Sequence, residues 1–208
     1  MKYSQISPES QTESDLDYRK HVPAHFNDSS GTPLDKLENF TRFVPRQSIA
    51  RFLAKANLFE QVLDVHGNIV EAGVFAGGGL FSWAQLSSIH EPINHNRKVI
   101  GFDSFEGLRN PTADDRANDD TEIEGMYRFE NKKELEESIR LYDLNRPLGH
   151  IPKIELVAGD ACQTIPNYIE ENQHTVIALL YLDFDLYEPT KTALQTFLPR
   201  MPTGAVVA

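Results

Sequence analysis

The stretch Asn68-Ile-Val-Glu-Ala-Gly-Val-Phe-Ala-Gly-Gly-Gly79 decides the fold, because it reads as a short buried strand, a glycine turn and the opening of a helix. Its neighbours repeat the pattern. Strand-like segments recur at Lys98–Asp103, Lys153–Ala158, Thr175–Asp183 and Gly204–Ala208, and helix-like segments lie between them at Gly78–His90, Lys132–Tyr142, Gln163–Asn172 and Glu188–Leu198. Strands rich in β-branched residues with little polar alternation are buried on both faces, which points to parallel pairing beneath helices. A chain alternating in this way predicts an α/β fold with a doubly wound, mostly parallel sheet.

Upstream, Ile49, Phe52, Leu53, Ala56, Leu58, Phe59 and Val62 recur at spacings of three and four, predicting a helix from about Arg46 to about Val65. Residues 1–44 are polar and broken by proline and short side chains, and read as an N-terminal arm before a domain covering 45–208. The arm is expected to pack on a neighbouring subunit in a homo-oligomer.

Composition narrows the function. The 208 residues carry 20 Lys+Arg against 31 Asp+Glu, a formal charge of −11, so nucleic acid and anionic membranes are not expected partners. A single cysteine, Cys162, allows no internal disulfide and no thiolate metal site, which fits a reducing cytoplasm. The longest apolar run, Val176–Leu182, is far below the roughly 20 residues needed to cross a bilayer. The seven histidines lack metal-ligand spacing, and Trp83 reads as core.

Ligands of doubly wound sheets sit outside the carboxyl ends of the strands. Each of the first four strands carries a carboxylate there: Glu71 before the glycine turn, then Asp103, Asp160 and Asp183. Asp103 suits ribose hydroxyls, although it and Asp160 could equally be helix caps. Asp183 and Asp185 flank one residue, so in extended geometry both project to the same side. Two such carboxylates repel unless a cation or proton sits between them, and an oxygen-rich pair suits Mg²⁺, Ca²⁺ or Mn²⁺. The other reading is a cap plus an exposed neighbour. The polar stretch Arg109–Glu124 reads as a lid, a binding loop or a disordered segment, with Asp114-Asp115 and Asp119-Asp120 as solvated charge.

The set Glu71-Ala-Gly-Val-Phe-Ala-Gly-Gly78, Gly101-Phe-Asp-Ser-Phe-Glu-Gly-Leu108, Ala158-Gly-Asp-Ala161 and Leu182-Asp-Phe-Asp-Leu-Tyr-Glu188 resembles the macrocin O-methyltransferase family, from about Val65 to the C-terminus. The resemblance implies a Rossmann-like class I methyltransferase fold and an enzyme dependent on S-adenosylmethionine and Mg²⁺ or another divalent cation. Its substrates would be sugar hydroxyls of antibiotic glycosides or nucleotide-linked deoxysugars. It implies that Glu71 and Gly73, with Ala72 and Gly77, hold the methionine end of the cofactor. Asp103, Ser104 and Phe105 would lie at the ribose, and Asp160 and Ala161 at the adenine. Asp183 would face the cofactor and ligate the metal, and Asp185 would be the general base.

Two departures accompany the resemblance. Phe75 stands where many methyltransferase turns carry a second glycine, and the acidic pair that the family places directly after the strand at Val206–Ala208 is not in the sequence. A sheet of this type has seven strands, so the chain is expected to continue beyond Ala208 with further metal ligands. Three readings compete with sugar methylation: methylation of a catechol-like phenol, a non-catalytic cofactor-binding fragment, and a nicotinamide oxidoreductase. The last is disfavoured because the turn departs from G-x-G-x-x-G.

Overall fold

The computed structural model describes residues 12–115, 124–129 and 132–208. The chain divides into two compact units between Arg51 and Phe52, inside a helix, whereas the sequence suggested a division at Pro45 where that helix begins. The run Asp119-Asp120 lies outside the described residues.

In the first unit the arm is helical. Helices α1 (Glu13–Asp28) and α2 (Pro33–Glu38) each begin with a capping box, in which a threonine (Thr12, Thr32) and an aspartate three residues on (Asp15, Asp35) satisfy each other's backbone N–H groups. Helix α1 buries none of its residues, as its polar sequence requires. The Phe26 and Phe43 rings meet edge to face at 5.0 Å, and the Lys36 ammonium lies 5.1 Å from the Phe26 centroid.

Helix α3 (Arg46–Glu60) crosses the division. The larger unit then follows the expected alternation: β1 (Asn68–Ala72), α4 (Gly78–His90), β2 (Val99–Asp103), α5 (Lys132–Leu144), β3 (Ile154–Ala158), α6 (Ala161–Glu171), β4 (Ile177–Leu182), α7 (Tyr187–Phe197) and β5 (Val206–Val207). All strands are parallel, in the order β3-β2-β1-β4-β5. One apolar cluster, with Ile69, Leu80, Trp83 and Leu179, covers one face, and a second, with Val70, Phe102, Ile165 and Phe197, covers the other. The chain runs outward from β1 to β3 and then returns to β4 on the far side of β1. That reversal opens a crevice at the carboxyl ends of β1 and β4.

Helix α3 stops at Glu60, short of the expected Val65, and the reason is Arg97. This guanidinium is 4% exposed; its Nε donates to both oxygens of Glu91, and its other nitrogens donate to the carbonyls of Val62, Leu63, Val65 and Gly67. Those carbonyls converge on the cation, and the chain past Glu60 keeps only short turn bonds such as Val65 N–H to the Val62 carbonyl. The polar segment before β2, which reads as surface in the sequence, therefore clamps the chain that feeds β1.

A second long-range tie lies at the opposite end of the sheet. Asp115 Oδ2 accepts from the Thr112 N–H and hydroxyl, and Oδ1 accepts from the N–H of Tyr187, the first residue of α7. Burial alone would raise the Asp115 carboxyl, but these hydrogen bonds outweigh it and hold it below its usual range. Asp115 is thus not the solvated charge that the sequence suggests. It fastens the post-β2 loop to the segment that follows β4.

Two outcomes check these ties. Arg97→Leu removes the ionic partner of the largely buried Glu91 carboxylate and leaves it only the Asn94 amide as a hydrogen-bond donor, so urea unfolding should register a loss of about 3–5 kcal/mol, and a loss below about 1 kcal/mol would refute the clamp. Asp115→Ala should cost about 1 kcal/mol, the usual worth of a lost cap, and speed amide exchange in the first turn of α7. Unchanged exchange at Tyr187 and Glu188 would show that the tie holds nothing.

Candidate active site

The β1–α4 turn is built around two close approaches. Gly73 has φ +103, and a Cβ there would collide with the Asp183 carbonyl oxygen, so the two switch-point strands pass too close for any side chain. Gly79, in the first turn of α4, leaves the space that the Glu71 carboxylate fills. Ladder bonds continue past both strand ends, with the Gly73 N–H donating to the Phe102 carbonyl at 2.8 Å and the Asp183 N–H to the Ala72 carbonyl at 2.7 Å.

Glu71 is the least expected residue in the core. It is 2% exposed, and its Oε2 has no hydrogen-bond partner among the described residues. Burial drives its carboxyl well above the usual carboxylate range; the Lys55 ammonium opposes that, and the Asp183 carboxylate reinforces it. The Trp83 indole N–H lies near enough to help the charged form but falls short of hydrogen-bond geometry. A buried polar atom without a partner costs on the order of 1–3 kcal/mol, and Glu71 Oε2 is such an atom.

Asp103, at the end of β2, faces the same turn. Its Oδ2 accepts from the N–H groups of Val74 (2.8 Å) and Phe75 (2.7 Å), and its Oδ1 from Phe105 N–H (2.6 Å). A carboxylate offers about four acceptor positions, so one remains on Oδ1. The Ser104 hydroxyl donates to the Gly107 carbonyl inside its own turn. Phe105 packs into the core with Val74 and Leu135, which leaves only its backbone to meet a ligand. Asp160 is the N-cap of α6, its Oδ1 accepting from Cys162 N–H at 2.9 Å, and Ala161 is buried beside it. Ala72 is fully buried, and Gly77 caps α4 with φ +85.

Asp183 and Asp185 are both exposed at the crevice, but the segment is not extended. Asp185 has φ +56, so the same-side projection expected from the sequence does not follow from its backbone. The chain must bend there to pass from β4 into α7. Partial burial raises the Asp185 carboxyl above its usual value. Among the described residues no three His, Cys, Asp or Glu side chains are grouped to hold a metal, so the residues present do not by themselves make the Mg²⁺ shell that the resemblance implies.

The rim is aromatic and strained. Phe75 (φ +50) and Tyr127 (φ +59) meet edge to face at 6.2 Å, with Phe129 5.5 Å from Phe75. Phe75, Phe105, Asn110, Tyr127 and Asp185, all non-glycine residues with positive φ, follow β1, β2 or β4. Such strain costs of order 1–3 kcal/mol per residue and gathers at functional sites. Tyr127 escapes the sequence reading and Asp115 reads there only as solvated charge, since only the folded loop brings them here. Cys162 is half-buried, and burial raises its thiol above the usual range.

The model of the macrocin-O-methyltransferase (TylF) family matches residues 47–208. A curated relative, the 8-demethyl-8-(2,3-dimethoxy-alpha-L-rhamnosyl)-tetracenomycin-C 4'-O-methyltransferase of Streptomyces olivaceus, is 26% identical over 155 residues, covering 69% of this chain and 52% of its own. The chain therefore spans about half the length of that relative. The crystal structure of the calicheamicin methyltransferase CalS11 is similar over 95% of this chain and 77% of its own, at 32% identity and a TM-score of 0.90. Its apo form, described as a TDP-rhamnose 3'-O-methyltransferase, gives a TM-score of 0.80. The O-methyltransferase NovP is 25% identical, with a TM-score of 0.60 over 76% of this chain and 62% of its own. The switch-point crevice, its glycine turn and the strand-end carboxylates thus sit in a chain that belongs to the macrocin-O-methyltransferase family.

Proposed function

We propose that this chain is the catalytic domain of an S-adenosylmethionine-dependent O-methyltransferase acting on a sugar hydroxyl, of an antibiotic glycoside or a nucleotide-linked deoxysugar. The observation that carries the reading is the buried Glu71 carboxyl with its unpartnered oxygen, one residue from the end of β1 and against the opening turn of α4. That position suits the ammonium of the cofactor's amino-acid end, and the family membership and the sugar-methylating relatives support the choice of acceptor.

The cofactor supplies a methyl group made electrophilic by its sulfonium. Glu71 holds the ammonium, with Gly73 letting the backbone come close. Asp103 offers the open position on Oδ1 to the ribose while continuing to brace the turn. Asp160 and Ala161 border the adenine. Asp185 accepts the proton of the acceptor hydroxyl as the oxygen–methyl bond forms and the methyl–sulfur bond breaks, and its raised pKa makes it a stronger base than an ordinary aspartate. Asp183 is the described carboxylate offered to a divalent cation. Two carboxylates fall short of the roughly six oxygens such an ion takes, so no step is routed through a metal. The reading includes a cytoplasmic enzyme and a homo-oligomer with no nucleic-acid partner; among the described residues no helix is long and apolar enough to cross a membrane.

Asp185→Asn should lower methyl transfer by about a hundredfold or more, within the usual worth of a general base, and leave S-adenosylhomocysteine affinity within about twofold. Full activity in that variant would remove Asp185 from the chemistry. Assayed on deoxysugar nucleotides, glycosides and catechols, the protein should methylate the sugars. Turnover confined to phenols, or cofactor binding with no turnover on any acceptor, would favour the phenol or the non-catalytic reading instead.

A further inference from the structure

Lys55 bears on the site described so far only through its effect on the Glu71 carboxyl. It projects from α3 into the core of the larger unit, 8% exposed, with its ammonium 3.9 Å from the Tyr181 ring centroid and 5.4 Å from that of Trp83. Tyr181 is the register partner of Glu71 across β1 and β4, and Trp83 is the residue whose indole approaches the Glu71 carboxyl. Lysine and glutamate therefore share one buried neighbourhood at the switch point. They do not satisfy each other, since Glu71 Oε2 is without a partner and the Lys55 ammonium rests on ring faces.

A buried ammonium and a buried carboxyl without a hydrogen bond at Oε2 are costly to hold in their charged forms. A ligand carrying both charges in the complementary sense relieves both. We propose that Lys55 and Glu71 together form the subsite for a zwitterionic α-amino-acid end, Glu71 taking the ammonium and Lys55 the carboxylate. The proposal rests on the cofactor reading above and adds Lys55 to it as a binding residue. Each contact would be a charge-assisted hydrogen bond, the strong kind. The ring faces of Tyr181 and Trp83 fix the ammonium by cation–π attraction without using up its directional donors. The aromatic pair, 5.5 Å apart and T-shaped, serves as the floor of this subsite.

Calorimetry on the whole chain with two probes tests the assignment: S-adenosylhomocysteine, which carries the amino-acid end, and 5′-methylthioadenosine, which lacks it. Lys55→Met should weaken the first by about tenfold or more, equal to about 1.4 kcal/mol, and leave the second within about twofold. Lys55→Gln should behave in the same way. Equal losses for both probes would mean that Lys55 only supports the fold, and unchanged S-adenosylhomocysteine affinity would mean that the carboxylate is held elsewhere; either result overturns the proposal. If Lys55→Met fails to fold, decarboxylated S-adenosylhomocysteine makes the same comparison from the ligand side, and the wild-type protein should bind it about tenfold more weakly than the intact ligand. Equal affinity would overturn the proposal. Wild-type protein that bound neither probe would instead overturn the cofactor reading beneath it.

Discussion

A carboxylate buried where a parallel sheet reverses its strand order is the constraint around which the rest of the site is arranged. Glu71 occupies a position that β1 would ordinarily give to an aliphatic side chain, and it stays there with one oxygen unpaired. Every close neighbour makes sense as accommodation. Gly79 leaves it room, Trp83 and Tyr181 wall it off from water, and Lys55 moderates its charge across the aromatic floor. An apolar replacement would make a better core, and the proposed contact with the cofactor's ammonium accounts for the cost.

The loops around this carboxylate are tied to one another through polar side chains as well as through the aromatic contacts of Phe75. Asp103 braces the β1–α4 turn from the end of β2, and Asp115 reaches from the next loop to the start of α7. Residues with positive φ at Phe75, Phe105, Tyr127 and Asp185 are the cost of bending three connections into one crevice. At the other end of the sheet, Arg97 collects four backbone carbonyls and the Glu91 carboxylate, fixing the chain that enters β1. The rigid end and the strained end are thus held by charged groups of opposite sign.

The sheet and its helices were legible because burial on both faces leaves continuous apolar runs with helix-length segments between them; the helices α4 to α7 fall within two residues of where that alternation puts them. The strand-end carboxylates were legible for the same reason, since topology alone places them along one edge. The helices of the arm were not, as their signal is a Thr-x-x-Asp box rather than an apolar stripe. Nor were Arg97, Asp115 and Tyr127, which act across 30 to 72 residues of sequence and look like ordinary surface residues until the fold brings their partners close. The bend at Asp185 is hidden in a similar way, because two aspartates around a phenylalanine read as a strand until the chain has to turn into α7.

Glu71 and Asp103 are proposed to meet the amino-acid end and the ribose of one cofactor. A crystal structure of this chain with S-adenosylhomocysteine is the most direct test. It should place the ligand's ammonium within hydrogen-bond distance of Glu71 and its ribose against Asp103, with the glycine turn running beneath. A ligand bound elsewhere, or one in this crevice that left Glu71 without a partner, would contradict it.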